Sequence, residues 1–196
     1  MSAPAKINFK LYQGSTFNEV LRWESSLKTY VPITDISKSA PLVVTAPNHG
    51  VPPEWRVKFT NIAGMTDLNS SDTYYQATSV TANTITINSV NSLGFKTYTS
   101  GGIVEYNTPI DLTNFTARMQ IRAKIDDSVV IEELTTANTK IVINNTTKTI
   151  TLTIPAETTA NFSFSTAVYS LEMVSSGGQV TAFCEGTITL VKEVTR

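Results

Sequence analysis

Apolar and polar residues alternate with a period of two along much of this chain. Ile7, Phe9 and Leu11 alternate with polar neighbours across residues 6–13, and Phe115, Ala117, Met119 and Ile121 alternate with Thr116, Arg118, Gln120 and Arg122. Such a pattern puts one apolar and one wet face on an extended strand. The same reasoning predicts strands over 16–23, 42–45, 55–59, 73–80, 84–87, 103–106, 128–134, 139–143, 148–154, 167–174 and 180–194. Residues 24–26 are expected to close the second strand, and the pattern breaks off after Ile33. Only 155–161 reads as a helical turn, with Pro155 at its start.

Turn signals separate the strands. Gly14-Ser15, the Pro- and Gly-dense run 46–53, 64–69, Gly101-Gly102, Asn107 to Pro109, 144–147 and Ser175 to Gly178 are all turn-forming sequences. The runs 139–143 and 148–154 are expected to form a hairpin, as are 167–174 and 180–194. Between residues 37 and 104 the strands are shorter and more closely spaced than in the flanks. This predicts an all-β chain: an immunoglobulin-like β-sandwich built from residues 1–36 and 105–196, with a small β-barrel, 37–104, inserted in one of its loops. Long insertions in surface hairpins are tolerated because loop-closure entropy grows slowly with length.

Composition agrees with strands. Thr, Ser, Asn, Val and Ile dominate, a mix that favours pleated backbone over helix. The net charge of −1 supplies no long-range field to gather nucleic acid or anionic lipid, so neither is expected as a partner. No apolar run approaches the roughly 20 residues of a membrane helix, and residues 1–6 carry no apolar signal core, so the chain is expected to be made in a cytoplasm.

The chemistry-bearing residues are few. Cys184 is the only cysteine and His49 the only histidine, which excludes the usual four-ligand zinc site built from these types. Cys184 lies in an alternating run and reads as a small buried hydrophobe rather than a reactive thiol. His49, between Asn48 and Gly50, reads as a turn stabiliser rather than a base. Asp126-Asp127 reads as a solvated loop tip rather than a calcium site, and Glu132 and Glu133 are expected on opposite faces of a strand. No glycine-rich loop leads into a helix. No catalytic residue, cofactor or metal is expected. The candidate interface residues are Arg118, Gln120 and Arg122, which share one strand face, and the aromatics Trp55 and Tyr74. The basic stripe suits either an inter-subunit contact with acidic groups or a plain wet sheet face. Trp55 and Tyr74, with Tyr75, suit a glycan surface, or for Trp55 the filling of the small barrel.

Pro109-Ile110-Asp111-Leu112-Thr113, followed by Thr116 to Arg122, resembles the turn and strand of a family of bacteriophage structural proteins: the N-terminal β-sandwich domain of siphophage baseplate upper proteins. Leu11 to Gly14, Val168 to Met173 and Gly186 to Leu190 share in the likeness, and Asn114 stands where that family prefers glycine. Val44 to Val51, Gly64 to Asn69 and Gly101-Gly102 resemble a β-barrel module of phage tail and neck proteins, similar in fold to a half-domain of ubiquitin-activating enzymes. The resemblance implies a non-enzymatic virion protein. It would be a tail, neck or baseplate adaptor that joins the tail machinery to peripheral fibre or receptor-binding proteins, in several copies or as a ring. A capsid decoration protein and a glycan-binding module are the alternatives.

Overall fold

The computed structural model describes residues 3–70 and 72–194. The fold is all-β and sandwich-like. In chain order the elements begin with β1 (Ala5–Lys6), β2 (Phe9–Tyr12) and β3 (Phe17–Leu21). Next come β4 (Glu24–Pro32), β5 (Asp35–Ile36), β6 (Leu42–Thr45), β7 (Arg56–Ala63), β8 (Tyr75–Gln76), β9 (Ser79–Val80), β10 (Thr84–Ile87) and β11 (Ser100–Pro109). The last set is β12 (Thr116–Arg122), β13 (Glu132–Thr135), β14 (Ile141–Asn144), β15 (Thr149–Ile154), α1 (Ala156–Ala160), β16 (Thr166–Val174) and β17 (Val180–Val191). The chain divides into two compact units. One comprises Met1–Arg22, Asp111–Asn145 and Thr149–Arg196, the other Trp23–Ile110 with Thr146–Lys148.

In the first unit one sheet runs β1-β17-β16-β12-β13, with β2 also on β17, and a second runs β14-β15-β3. The period-two pattern decides which side chains turn inward. Ala117, Met119 and Ile121 of β12 and Ala167, Tyr169, Leu171 and Met173 of β16 are buried. Ile150, Leu152 and Ile154 are buried from the other sheet. Each buried Leu or Ile side chain contributes about 1.5–3 kcal/mol to holding the layers together. Phe9 joins the two sheets: its ring meets Phe17 of β3 edge-on at 5.4 Å and stacks on Tyr169 at 5.0 Å.

The strand predicted over 6–13 is in two pieces, both parallel to β17. At the break the Tyr169 hydroxyl donates to the Ile7 carbonyl at 2.8 Å, and Asn8 Oδ1 accepts from the Thr187 amide at 3.0 Å. These bonds replace the ladder that the break interrupts.

The second unit contains two four-stranded sheets, β5-β6-β10-β9 and β4-β11-β7-β8. Its core is its own: Ile36, Leu42, Val44, Trp55, Phe59, Ile85, Ile87 and Val104 belong to one buried cluster drawn entirely from residues 31–106.

Four local expectations change. Residues 24–26 do not close a strand but open β4, which continues to Pro32 and pairs with β11. Asn107 to Pro109 is strand rather than turn. Pro109 is tolerated because it ends β11, where it pairs only with Glu24 across a register shift. Of the apolar run 128–134 only Glu132 onward is strand, and Val129 is exposed. The run 73–80 is split into β8 and β9 because it changes partner: the Ala77 amide still donates to the Trp55 carbonyl, at 2.8 Å, in the register of β8 on β7, whereas the Thr78 amide donates to the Thr86 carbonyl, at 2.9 Å, and the chain goes on against β10.

Candidate functional site

In the first unit the wet face of the large sheet carries the predicted stripe. Strand pairing sets one row straight across it: Glu133, Gln120, Ser170, Glu185 and Lys6, on five successive strands. The charges in and around this row are already matched. Arg118 Nε donates to Glu172 at 2.6 Å, Gln120 Nε2 to Glu133 at 2.7 Å, and Lys6 pairs with Glu185. Arg122 donates to the Gln120 side chain at 2.7 Å and to the Asp127 carbonyl. Arg118, Gln120 and Arg122 therefore do share a face, but they form a neutral polar ladder instead of a basic stripe. Ser170 is short and its neighbours are long, so a trough forms above it. Two shallow cavities of about 400 and 370 Å³ meet at Gln120 and Ser170.

In the second unit the wet face of β4-β11-β7-β8 gathers a denser set. Cross-strand register brings Tyr30, Glu105 and Lys58 into one row. Glu105, nearly buried, accepts from Lys28 and lies 3.3 Å from Lys58. The Lys28 hydrogen bond holds the Glu105 carboxyl below the ordinary carboxylate range, and the same bond raises the Lys28 ammonium above its ordinary value. Arg56 Nε lies 3.0 and 2.9 Å from the two carboxylate oxygens of Glu24, with Nη2 on the second, and Asn107 Nδ2 also donates to Glu24 at 2.9 Å. Tyr74 is at the edge of this network. Its ring centroid is 5.2 Å from the Arg56 guanidinium carbon and 5.8 Å from Lys58 Nζ.

The buried polar groups are structural. Trp55 is removed from the surface candidates: it is fully buried, and its Nε1 donates to the Asn107 carbonyl at 2.9 Å. His49 is buried in its turn. The Val51 amide donates to His49 Nδ1 at 2.9 Å, so the ring is neutral with its proton on Nε2, 3.3 Å from the Thr84 carbonyl. The Tyr106 hydroxyl donates to the His49 carbonyl at 2.6 Å. Burial lowers the His49 pKa. Burial pushes the Cys184 thiol up to about 11, away from thiolate reactivity. Among the described residues no three His, Cys, Asp or Glu side chains gather as a metal-holding group.

Sequence reasoning named Tyr74 but missed Tyr30, Lys28, Glu24, Arg56 and Glu105. The signal was present in part: Arg56 and Lys58, like Glu105 and Asn107, keep a two-residue spacing. What was lacking was β4, which supplies Glu24, Lys28 and Tyr30.

Compared with protein-family models the chain finds no match, and compared with curated proteins it finds none either.

Proposed function

We propose that this chain is a non-enzymatic structural protein, an adaptor in a bacteriophage virion. It would join the tail, neck or baseplate machinery to peripheral fibre or receptor-binding proteins, acting in several copies or as a ring. The observation that carries the reading is the division into two all-β units, each with its own core and its own broad wet sheet face. A connector needs two such faces, one for each neighbour. The phage setting comes from the motif likeness at Pro109 to Arg122 and in the 44–102 segment.

The face of the first unit, with Arg118, Gln120 and Arg122, would anchor. It offers hydroxyl, amide and pre-paired charged groups, which suit short-range contacts to other virion proteins or to further copies. With a net charge of −1 such contacts gain little from long-range steering. Copies on a ring gain avidity without strong individual interfaces. Labelling the chain on intact particles tests the reading: signal at the tail, neck or baseplate is expected. Signal spread over the capsid would replace it with the decoration reading, and no signal on particles would end both.

A further inference from the structure

We propose that the trough above Ser170, on the wet face of the first unit, binds a neutral sugar chain. The proposal goes beyond the adaptor reading. A neighbour seated on this face would close the trough, so the sugar is taken where the face is open.

The first support is shape. The two cavities share Gln120 and Ser170 and measure about 400 and 370 Å³, each within the roughly 300–1,000 Å³ of ligand sites. They follow the row from Glu133 through Gln120, Ser170 and Glu185 to Lys6. Interstrand steps of about 4.8 Å make that row ~19 Å long, enough for several sugar rings in line.

The second support is charge balance. The lining holds three cations, Lys6, Arg118 and Arg122, and three carboxylates, Glu133, Glu172 and Glu185. Outside the lining, Lys10 on β2 and Lys124 stand against Asp126 and Asp127 in the loop after β12. An anion would meet the carboxylates and a cation the guanidiniums, so an uncharged ligand is favoured over either. A balanced face also gives nucleic acid no excess of positive charge to neutralise its phosphates.

The third support is unused hydrogen-bonding capacity. Arg118 gives Glu172 only its Nε–H, and Glu172 and Glu133 each accept on one oxygen. The Nη groups of Arg118, the second oxygens of Glu172 and Glu133 and the Ser170 hydroxyl bond to none of the described residues. Donors and acceptors therefore stand side by side, held in place by their bonds to one another. A hydroxyl both donates and accepts, so a row of hydroxyls meets both kinds. Side chains fixed before binding lose little entropy on it. Ile125 and Val168 add an apolar wall to the first cavity, against which the C–H face of a sugar ring can lie. A protein partner gains most from burying an aromatic or arginine anchor in a well-packed pocket, which a shallow trough does not supply.

The test is a titration of the ¹⁵N-labelled full chain with neutral hexasaccharides of glucose, galactose, rhamnose and N-acetylglucosamine. At least one should shift the amides of 118–122, 168–172 and 185–187. Ser170→Leu fills the trough from an exposed strand position and should weaken that binding about tenfold or more, with the rest of the spectrum intact. Thr189→Leu, exposed on the same sheet outside the lining, should leave it unchanged. No shift with any of the four sugars would overturn the proposal, as would undiminished binding by Ser170→Leu. Tighter binding of a sulfated or an amino-sugar hexamer would overturn the neutral class. Shifts from a Ser- and Thr-rich peptide alone would hand the trough to a protein contact. The adaptor reading fails instead on particle location, which the titration does not touch.

Discussion

Gly186 of β17 faces the backbone of Ile7, so closely that a Cβ on Gly186 would stand 1.9 Å from the Ile7 carbonyl oxygen. The obstacle is backbone, not a side chain that can swing away. That carbonyl also accepts from Tyr169, and the Ile7 amide donates to the Glu185 carbonyl at 3.0 Å. Gly186→Ala must therefore push the β1–β2 segment off β17. It should lower stability by roughly 2–3 kcal/mol or more, as overpacking does. Urea unfolding checks this, and an unchanged midpoint would show that the N-terminal segment moves aside freely.

Asn114 has φ +57°, the left-handed region, in the turn before β12. Asn and Gly enter that region readily, whereas a residue with an ordinary Cβ incurs about 1–2 kcal/mol. Asn114→Gly should be near neutral. Asn114→Val should cost about 1–2 kcal/mol or more, since β-branched residues fit worst. Equal midpoints for the two variants would remove the turn from any role in setting up β12.

His49 makes the second unit sensitive to mild acid. Its Nδ1 accepts the Val51 amide, a bond that only the neutral ring can make. Burial is the main cause of its lowered pKa, with the Thr84 carbonyl acting the other way. As pH falls below the ordinary imidazole value of 6.5, the unfolded chain takes up a proton that the folded ring refuses. The stability contributed is thus full above pH 6.5 and lost as pH drops toward the lower folded value. Urea midpoints at several pH values on either side of 6.5 should show the decline, and His49→Gln should flatten that part of the profile. A His49→Gln profile as steep as that of the native chain would assign the acid sensitivity to other groups.

The fold class was legible because a two-residue period survives wherever one sheet face is buried. β12, β15 and β16 keep it, and their inward residues are the apolar ones; β17 keeps it only from Cys184 on, because the register shift opposite Leu171 and Glu172 leaves Val180 and Ala182 exposed. β4 was not legible. It lies at the edge of its sheet, and Ser26, Leu27, Lys28, Tyr30 and Pro32 are exposed, so no apolar alternation marks it. The same cause hid the densest polar cluster, because β4 carries Glu24, Lys28 and Tyr30. The stripe on β12 was legible as residues but not as charge. Arg118 meets Glu172 only through the pairing of β12 with β16, a register that sequence spacing does not state.

The two units should fold apart. The core of the second is drawn from residues 31–106 alone, so its apolar burial does not depend on the rest of the chain. Its ends are also neighbours: the Ile110 amide donates to the Trp23 carbonyl at 3.1 Å, and Glu24 pairs with Pro109. The points where the chain leaves and re-enters the first unit, Arg22 and Asp111, are therefore joined across a short gap, and a brief Gly-containing linker can replace residues 23–110. Closing so short a loop costs little entropy and shortens the longest excursion in the first unit. The linked first unit and the isolated 23–110 segment should each unfold cooperatively in urea, each with a smaller dependence on denaturant than the whole chain, since each exposes less surface. The isolated second unit should keep the His49 acid sensitivity, and the linked first unit should keep the effect of Gly186→Ala. A linked first unit without cooperative unfolding would mean that the sandwich depends on residues 23–110 for its own packing, and the division would then be one of shape and not of stability.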